Sequence, residues 1–328
     1  MKASVLTNYG SPDFFELREV AKPVPNDDEV LIKIYASSIN SWDWEILMGK
    51  PFVNRIMVGL RKPTRIQILG CDISGRIEAV GKNVKQLQAG DEVFADISHC
   101  GWGGFAEFVC VPGNKNTLAL KPPMLTFTQA AVVPQTAVLA LQGLRKGQVE
   151  RAHTVLINGA SGGVGSFAVP MAKLYGAEVT GVCPTDKMDF VRSLGADHVI
   201  DFTRQDFTRH GQQYDLILDV QGHHSVVDYI RALSPDGRYI MVGGSSRLVY
   251  QLLFLWPWLS LFSRKKMSLL MHKPDANDLN VMKTFFEAGS VSPVIDKSYP
   301  LSKLSEAMRY YEEGHVKGKI AIIITEPT

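Results

Sequence analysis

The most constraining feature of this sequence is a glycine turn that follows a short run of apolar residues. Residues 155–157 read Val-Leu-Ile, as in a buried strand, and residues 158–165 read Asn-Gly-Ala-Ser-Gly-Gly-Val-Gly. Glycine lets the backbone turn tightly and approach a ligand, and the free N–H groups at the start of a helix face an anion. The pattern therefore predicts a strand, a turn and a helix that hold the pyrophosphate of a dinucleotide. The residues that we expect to bind it, through backbone N–H groups and the serine hydroxyl, are Ser161, Gly162, Gly163 and Val164.

The residues around the turn support this interpretation, although Ala160 stands where the usual fingerprint has its first glycine. Apolar residues recur at helical spacing as far as Leu174, Gly176 ends that segment, and residues 178–182 resume as a strand. This order predicts a complete βαβ unit. Pro170 lies inside the predicted helix, where a missing backbone hydrogen bond predicts a bend.

Length and composition exclude several classes of protein. A chain of 328 residues exceeds the usual single core of about 250 to 300 residues, which predicts two domains. The 35 basic and 33 acidic residues form no basic stripe, so we expect a small-molecule ligand and no nucleic acid. The four cysteines include no CxxC pair, which predicts free thiols in a reducing compartment, with the cytoplasm as the expected location. No apolar leader precedes the first predicted strand, so we expect no export.

One apolar stretch, Leu248–Phe262, stands out from the rest of the chain. It contains Trp256-Pro257-Trp258 and is followed by three basic residues, a composition that suits contact with a membrane surface. Its 15 residues are fewer than the roughly 17 to 25 that crossing a bilayer requires. A lid over the substrate or a subunit contact is the favoured interpretation, and peripheral membrane association and ordinary core stay open.

The chain changes its pattern near residue 125. Residues 1–125 show short strands separated by turns, which predicts a mainly antiparallel, partly open barrel. From residue 126 helices and strands alternate, which predicts a parallel sheet covered by helices on both faces. The fold class is therefore α/β: a doubly wound parallel-sheet Rossmann domain at 126–293, and a mainly antiparallel β-barrel domain at 1–125 that is completed by about 294–328.

Two elements carry more specific predictions. Val30, Ile32, Ile34 and Ala36 alternate with less apolar residues, as in a strand with one buried face. A single helix is predicted through Ala130–Leu144.

The order of motifs resembles the medium-chain dehydrogenase/reductase family, in its zinc-free quinone oxidoreductase (zeta-crystallin-like) branch, over essentially the whole chain. This resemblance implies a GroES-like catalytic domain, a Rossmann domain and nicotinamide chemistry between them. The blocks that carry it are residues 38–44, 69–75, 80–81, 90–93, 103–108, 159–165, 194–197, 214–220, 237–244 and 314–319.

The same resemblance argues against a bound metal. Alcohol dehydrogenases of the family carry a cysteine after the third strand, a His-Glu pair after a glycine, and a later cysteine. Here residues 40–43 read Asn-Ser-Trp-Asp, residues 70–72 read Gly-Cys-Asp, and no cysteine occurs between 111 and 182. We therefore expect no zinc and no other metal site.

Several residues gain an expected role through the resemblance. Thr136 matches a threonine near the nicotinamide, and a threonine on a helix surface is the open alternative. Gly243 and Gly244 are expected to let the backbone approach the nicotinamide ring, and Lys319 is expected to reach the catalytic site. Asn40 has two open interpretations, a hydrogen-bond donor to nicotinamide or substrate and a cap of the helix that begins near Trp42.

The resemblance and the strand ends together favour NADPH over NADH. A carboxylate at the end of the second Rossmann strand normally binds the ribose of NAD, whereas that strand here ends Cys-Pro-Thr at 183–185. Thr185 and Lys187 are expected to bind the 2′-phosphate. Asp186 is an alternative ribose ligand, and Arg204 stands near the place where related enzymes have a tyrosine.

The expected activity is an NADPH-dependent transfer of hydride to a quinone or an α,β-unsaturated carbonyl, without zinc. That reaction needs hydrogen-bond donors for the developing negative charge on oxygen and a proton from solvent. A cofactor-binding protein that acts through a partner or a membrane surface, and an alcohol dehydrogenase of the same family, are the alternatives. The resemblance also implies a homodimer in which edge strands of the nucleotide domains pair.

Overall fold

The computed structural model describes residues 1–114 and 117–326, and the contacts of the chain divide it into two compact units. Unit 1 comprises Met1–Val138, Pro274–Ala288 and Pro293–Thr328, and unit 2 comprises Leu139–Lys273 and Gly289–Ser292. Contacts thus group 126–138 and 274–288 with unit 1. The domain limits expected from the sequence, 1–125 with about 294–328 and 126–293, stay a prediction.

The elements follow the predicted alternation closely. The strands are β1 (Lys2–Leu6), β2 (Phe15–Glu19), β3 (Glu29–Ser38), β4 (Asp72–Val80), β5 (Glu92–Asp96), β6 (Phe108–Pro112), β7 (Ala119–Leu120), β8 (Thr154–Asn158), β9 (Glu178–Cys183), β10 (His198–Asp201), β11 (Tyr214–Asp219), β12 (Leu233–Met241), β13 (Lys266–Leu269), β14 (Ile295–Pro300) and β15 (Lys319–Ile323). The helices are α1 (Ser41–Met48), α2 (Phe52–Val58), α3 (Phe127–Ala131), α4 (Pro134–Gly147), α5 (Gly163–Leu174), α6 (Met188–Ser193), α7 (Val226–Ala232), α8 (Ser246–Tyr250), α9 (Trp256–Ser260), α10 (Ala276–Glu287) and α11 (Leu304–Glu312).

Unit 1 is built on a sheet in the order β14-β15-β3-β4-β5-β7, with β6 also paired to β3. All of its pairs are antiparallel except β14 with β15. Because β4 and β15 both run antiparallel to β3, their first residues lie beside the end of β3, with Ser38 opposite Asp72 and Ala321. This edge of the sheet collects the polar residues of the candidate site.

Unit 2 is built on a parallel sheet in the order β10-β9-β8-β11-β12-β13. The order reverses direction at β8, and ligands of such sheets bind at the carboxyl ends of the strands beside this switch. The predicted α/β class, with a parallel Rossmann-like sheet in one unit and a mainly antiparallel sheet in the other, is confirmed.

Helix α5 continues through Pro170. No helix among the described residues has the length and hydropathy that a bilayer crossing requires.

Two local predictions are wrong. Strand β3 is buried on both faces, because α3 covers the face opposite the predicted one and Phe127 stacks on Tyr35 with ring centroids 4.4 Å apart. The single helix predicted through Ala130–Leu144 is two helices, α3 and α4. Pro134 begins α4, and a proline disfavours helical backbone in the residue before it, so α3 ends first.

Candidate functional site

The glycine turn of unit 2 has the geometry of an anion-binding helix start. Gly159 follows β8 with a positive φ of 84°, and Gly162 is the extended N-cap of α5. A Cβ on Gly165 would lie 2.3 Å from the carbonyl oxygen of Gly159, so this glycine permits the close packing of helix and strand. A Cβ on Gly162 would meet nothing nearer than 3.6 Å. The first-turn N–H groups of α5 have no partner within the helix, and this small-residue turn fits a pyrophosphate.

A polar cluster lies where the neighbouring strands β9 and β10 end. The Thr185 hydroxyl donates to Asp201, and this hydrogen bond is the largest cause that lowers the pKa of the Asp201 carboxyl. The guanidinium of Arg204, 73% exposed, lies 3.4 Å from the same carboxylate. Lys187 is only 5% exposed, which places it in the protein interior and not on the open surface expected for a phosphate ligand. Asp201 was not predicted from the sequence, although its position at the end of a parallel strand is a usable signal.

Gly243 and Gly244 follow β12 and permit a close approach between two backbone segments. A Cβ on Gly243 would lie 2.8 Å from the carbonyl oxygen of Val220, and one on Gly244 would lie 2.6 Å from that of Gly222. Gly244 also has a positive φ of 145° and bridges to Gly222. These glycines are thus required by the loops after β11 and β12, and their contact with a nicotinamide ring stays a prediction.

In unit 1, a buried lysine is the centre of a side-chain network. The ammonium of Lys319, 3% exposed, donates to the carbonyl oxygen of Ile39 at 2.8 Å and to the amide oxygen of Asn40, and lies 3.7 Å from Asp72 Oδ2. Burial lowers the pKa of Lys319, and the Asp72 carboxylate opposes this effect. Burial also raises the pKa of Asp72, opposed by the Lys319 ammonium. The network therefore holds an ion pair away from solvent.

Asn40 is the N-cap residue of α1, as one of its two interpretations expected, and its side chain also lies in this network. Its Nδ2 donates to Asp72 Oδ2 at 2.9 Å and to Cys71 Sγ at 3.2 Å, which engages both amide hydrogens. Asp43, in the first turn of α1, accepts the backbone N–H groups of Asn40 and Gly70 on its carboxylate. Burial raises the pKa of Asp43 to about 7, against those two hydrogen bonds. The alternative role of Asn40, as a donor to nicotinamide or substrate, stays a prediction.

Helix α4 begins against the same network. The backbone N–H of Gln135 donates to Asp72 Oδ1 at 2.9 Å, and its side-chain amide donates to Cys71 Sγ at 3.4 Å. Thr136 is buried and donates to the carbonyl oxygen of Val132, so the alternative of a threonine on the helix surface is wrong. No role was predicted from the sequence for Cys71, Asp72 or Gln135. The register of β3 with β4, which brings Cys71 and Asp72 to Asn40, is not visible in residue spacing.

Cys71, Asp72 and Asp96 place possible metal-ligand atoms within 4.8 Å of one another, all buried. These atoms are already engaged: Cys71 Sγ accepts two amide N–H groups, and Asp72 accepts Ser38, Asn40 and the Gln135 backbone. Burial raises the pKa of the Cys71 thiol well above its usual range, whereas zinc binds the thiolate. With the Lys319 ammonium beside Asp72, this donor set does not fit a zinc ion.

Known proteins resemble the chain over nearly its full length. The profile of the alcohol dehydrogenase GroES-like domain matches residues 26–123, and that of the zinc-binding dehydrogenases matches residues 194–322. A chloroplast envelope quinone oxidoreductase homolog of Arabidopsis thaliana is 33% identical over 93% of this chain and 92% of its own. An NADPH-dependent alkenal/one oxidoreductase of the same plant is 30% identical over 98% of this chain and 79% of its own. The solved quinone oxidoreductase of Coxiella burnetii is 25% identical, with a TM-score of 0.90 and 99% of each chain covered.

A GroES-like unit and a parallel Rossmann-like sheet together define the fold of the medium-chain dehydrogenases and reductases. The chain belongs to the medium-chain dehydrogenase/reductase family, in its quinone oxidoreductase branch, so the resemblance found in the sequence is confirmed. It is an oxidoreductase, and its family uses a nicotinamide cofactor.

Proposed function

We propose that this protein is a zinc-independent, NADPH-dependent reductase of quinones or α,β-unsaturated carbonyls. The observation that carries the proposal is a glycine turn that fits a pyrophosphate, together with a buried cluster in which Cys71 and Asp72 already accept hydrogen bonds and the Lys319 ammonium lies 3.7 Å from Asp72. The similar Arabidopsis proteins, named for quinone and for alkenal/one reduction, support the acceptor class.

The chain's own residues would bind and orient the reactants. Ser161, Gly162, Gly163 and Val164 would hold the pyrophosphate on N–H groups at the start of α5. When bound, the dihydronicotinamide supplies hydride to the acceptor carbon or ring, and a proton from solvent completes the reduction. For Asn40 we propose a role in orienting polar contacts at the catalytic end, with Lys319 holding its amide oxygen. We also propose Thr136, Gly243 and Gly244 as residues that contact the nicotinamide.

Zinc independence is supported by the chemistry of the donor set. A zinc ion at Cys71, Asp72 and Asp96 would have to deprotonate a thiol whose pKa burial raises, and would displace several hydrogen bonds. It would also lie beside the ammonium of Lys319, and like charges in a buried site repel strongly.

NADPH preference is supported at the ends of β9 and β10. Strand β9 ends without a carboxylate. The Asp201 carboxylate accepts the Thr185 hydroxyl, and the exposed guanidinium of Arg204 lies beside that carboxylate. A 2′-phosphate placed there would compete with Asp201 for Arg204 and gain a charge-assisted hydrogen bond. Lys187 is 5% exposed, which does not support its expected contact with the 2′-phosphate. NADH stays the less favoured cofactor.

The test is direct reduction by purified protein. With NADPH, it should reduce at least one acceptor from a panel of soluble quinones and 2-alkenals, and activity should survive prolonged treatment with a chelator. Metal analysis of the active protein should find no stoichiometric zinc. The same preparation is assayed with primary and secondary alcohols and NADP⁺. Alcohol oxidation that a chelator abolishes would overturn the proposal in favour of an alcohol dehydrogenase.

Two further expectations accompany the proposal. Strand β13 lies at the edge of the unit 2 sheet, and an edge strand offers unpaired backbone groups, which supports a homodimer formed by strand pairing. The four cysteines are free thiols, which supports a reducing compartment such as the cytoplasm. Sedimentation analysis and localisation of the tagged protein test these points separately.

A further inference from the structure

The apolar stretch Leu248–Phe262 forms consecutive helical segments in unit 2: α8, the π-helical turn Gln251–Leu255, and α9. One side of these turns packs into the core, where Leu248 and Leu252 are buried. The opposite side is also apolar but exposed. Its large exposed side chains, named here the 250–262 surface, are Tyr250, Leu253, Phe254, Trp258, Leu261 and Phe262.

A helix that is apolar on all sides is normally buried, and this one is not. Trp258 is 72% exposed and Phe262 is 92% exposed. Tyr250 and Phe254 stack on each other with ring centroids 6.4 Å apart, which keeps two rings together at the surface. Large apolar patches on a folded protein mark interaction sites, and π-helical turns are frequent at functional sites. The 250–262 surface therefore fits a partner that accepts apolar and aromatic side chains.

The sequence around this surface is rich in basic residues. Residues 237–274 contain six basic residues and no acidic residue, whereas the whole chain carries a net charge of only +2. Arg264 lies in an ion pair with Asp236, and Lys265 donates to two backbone carbonyls, so the fold uses part of this charge. Arg247 in α8 and Lys266, the first residue of β13, are both exposed.

We propose that the 250–262 surface docks on an anionic lipid bilayer, with its helical turns lying along the membrane plane. Aromatic side chains such as Trp258 and Tyr250 suit the boundary between headgroups and acyl chains, and bulky apolar residues insert below it. Basic residues beside such a helix are attracted to anionic headgroups. The apolar side chains and the flanking charge thus point to the same partner. This inference goes beyond the proposed reaction, since it concerns a surface of unit 2 and requires neither cofactor nor acceptor.

A second copy of the chain fits this surface less well. A twofold interface pairs a patch with itself, and residues 237–274 contain no acidic residue that could pair with Arg247 or Lys266 of the other copy. Like charges brought together in a desolvated interface cost free energy, whereas anionic lipid neutralises them. The expected homodimer through β13 uses backbone groups of the sheet edge and leaves this argument unchanged.

The experiment is vesicle flotation of the full chain without cofactor. We expect binding to vesicles rich in phosphatidylglycerol, much weaker binding to phosphatidylcholine vesicles, and release as ionic strength rises from about 0.1 M to about 1 M. Trp258→Ser with Phe262→Ser should lower the partition coefficient by at least about tenfold for each side chain lost. Arg247→Gln with Lys266→Gln should lower it by about fivefold for each charge lost.

Val24→Ser is the matched control, because Val24 is an apolar residue that is 85% exposed in unit 1 and should leave flotation unchanged. Circular dichroism and sedimentation of each variant show that it folds and report its oligomeric state. The proposal is overturned if the wild type does not float with anionic vesicles, or if both pairs of substitutions leave flotation unchanged. It is equally overturned if the Trp258 and Phe262 substitutions convert a dimer to a monomer, because the surface would then be an interface between copies. Reduction of a soluble quinone by the same preparations tests the enzyme activity independently.

Discussion

The glycine turn of unit 2 and the lysine network of unit 1 are built in opposite ways. At the turn, backbone groups form the site, and the side chains of residues 159–165 matter mainly through their small size. In the network, side chains from residues distant in sequence surround Lys319, and the backbone supplies only a few partners. The first site is defined by local geometry, and the second by the register of three strands.

This difference predicts different responses to substitution. A backbone site is sensitive to added volume at one glycine and tolerant at its neighbour, depending on where the Cβ would point. A buried side-chain network is sensitive to the loss of any charged member, because the remaining charge stays in a low-dielectric interior without its partner. The following predictions test whether the glycine turn and the lysine network differ in their response to substitution.

The largest effect is expected for Lys319→Met. It leaves Asp72, which is fully buried, without its nearest cation, and such a change costs about 3–5 kcal/mol in the free energy of unfolding. Urea denaturation measures it. Lys121→Met is the matched control, since Lys121 is also buried in unit 1 but its partner Glu92 is about one third exposed and can be hydrated. If Lys319→Met and Lys121→Met lower the free energy of unfolding equally, burial of Asp72 adds no cost to the loss of its cation.

The second prediction compares neighbouring glycines. Gly165→Ala places a Cβ 2.3 Å from the Gly159 carbonyl oxygen, so overpacking of about 2–3 kcal/mol should exceed the gain in helix propensity of about 1 kcal/mol. Gly162→Ala meets no such contact and should cost only about 0.5–1 kcal/mol as a weaker N-cap. Its methyl group would, however, face the proposed pyrophosphate, so NADPH affinity should fall more than stability. Thermal unfolding and calorimetric titration separate these effects, and equal destabilisation would show that the turn is not shaped by this contact.

The same contrast explains what the sequence could predict. The turn after β8 was predicted residue by residue, because glycine spacing, strand pattern and helix start all lie within a few residues. Asn40 and Lys319 were singled out only through family resemblance, and their mutual contact depends on β4 and β15 flanking β3. Asp201 was missed because Thr185 meets it only when β9 and β10 pair. Local backbone chemistry is thus visible in the sequence, whereas tertiary register is not.

A smaller change in the free energy of unfolding is expected from pH. It tests whether Asp43, beside the lysine network, is shielded from water as its burial indicates. Burial raises the pKa of Asp43 to about 7, so the folded state holds a proton that the unfolded state has released above about pH 4. The contribution of Asp43 to the free energy of unfolding is therefore fully present below about pH 4, and it is lost as the pH rises through about 7. Between about pH 6 and about pH 8 the wild type should lose about 1.4 kcal/mol more than Asp43→Asn. Parallel pH profiles of unfolding for the two proteins would contradict this assignment.

The smallest effect is expected at the ends of β9 and β10, the one place in unit 2 where side chains and not backbone groups are proposed to select the ligand. Arg204→Ala should lower kcat/KM for NADPH by about fivefold and leave that for NADH unchanged, a modest effect because the guanidinium is largely exposed and screened by solvent. Arg209→Ala is the matched control, since Arg209 has the same exposure and forms a similar ion pair with Asp206. If both substitutions lower both activities equally, the discrimination lies elsewhere. If only Arg204→Ala acts, and only on NADPH, then unit 2 binds the pyrophosphate through its backbone and selects the cofactor through a side chain.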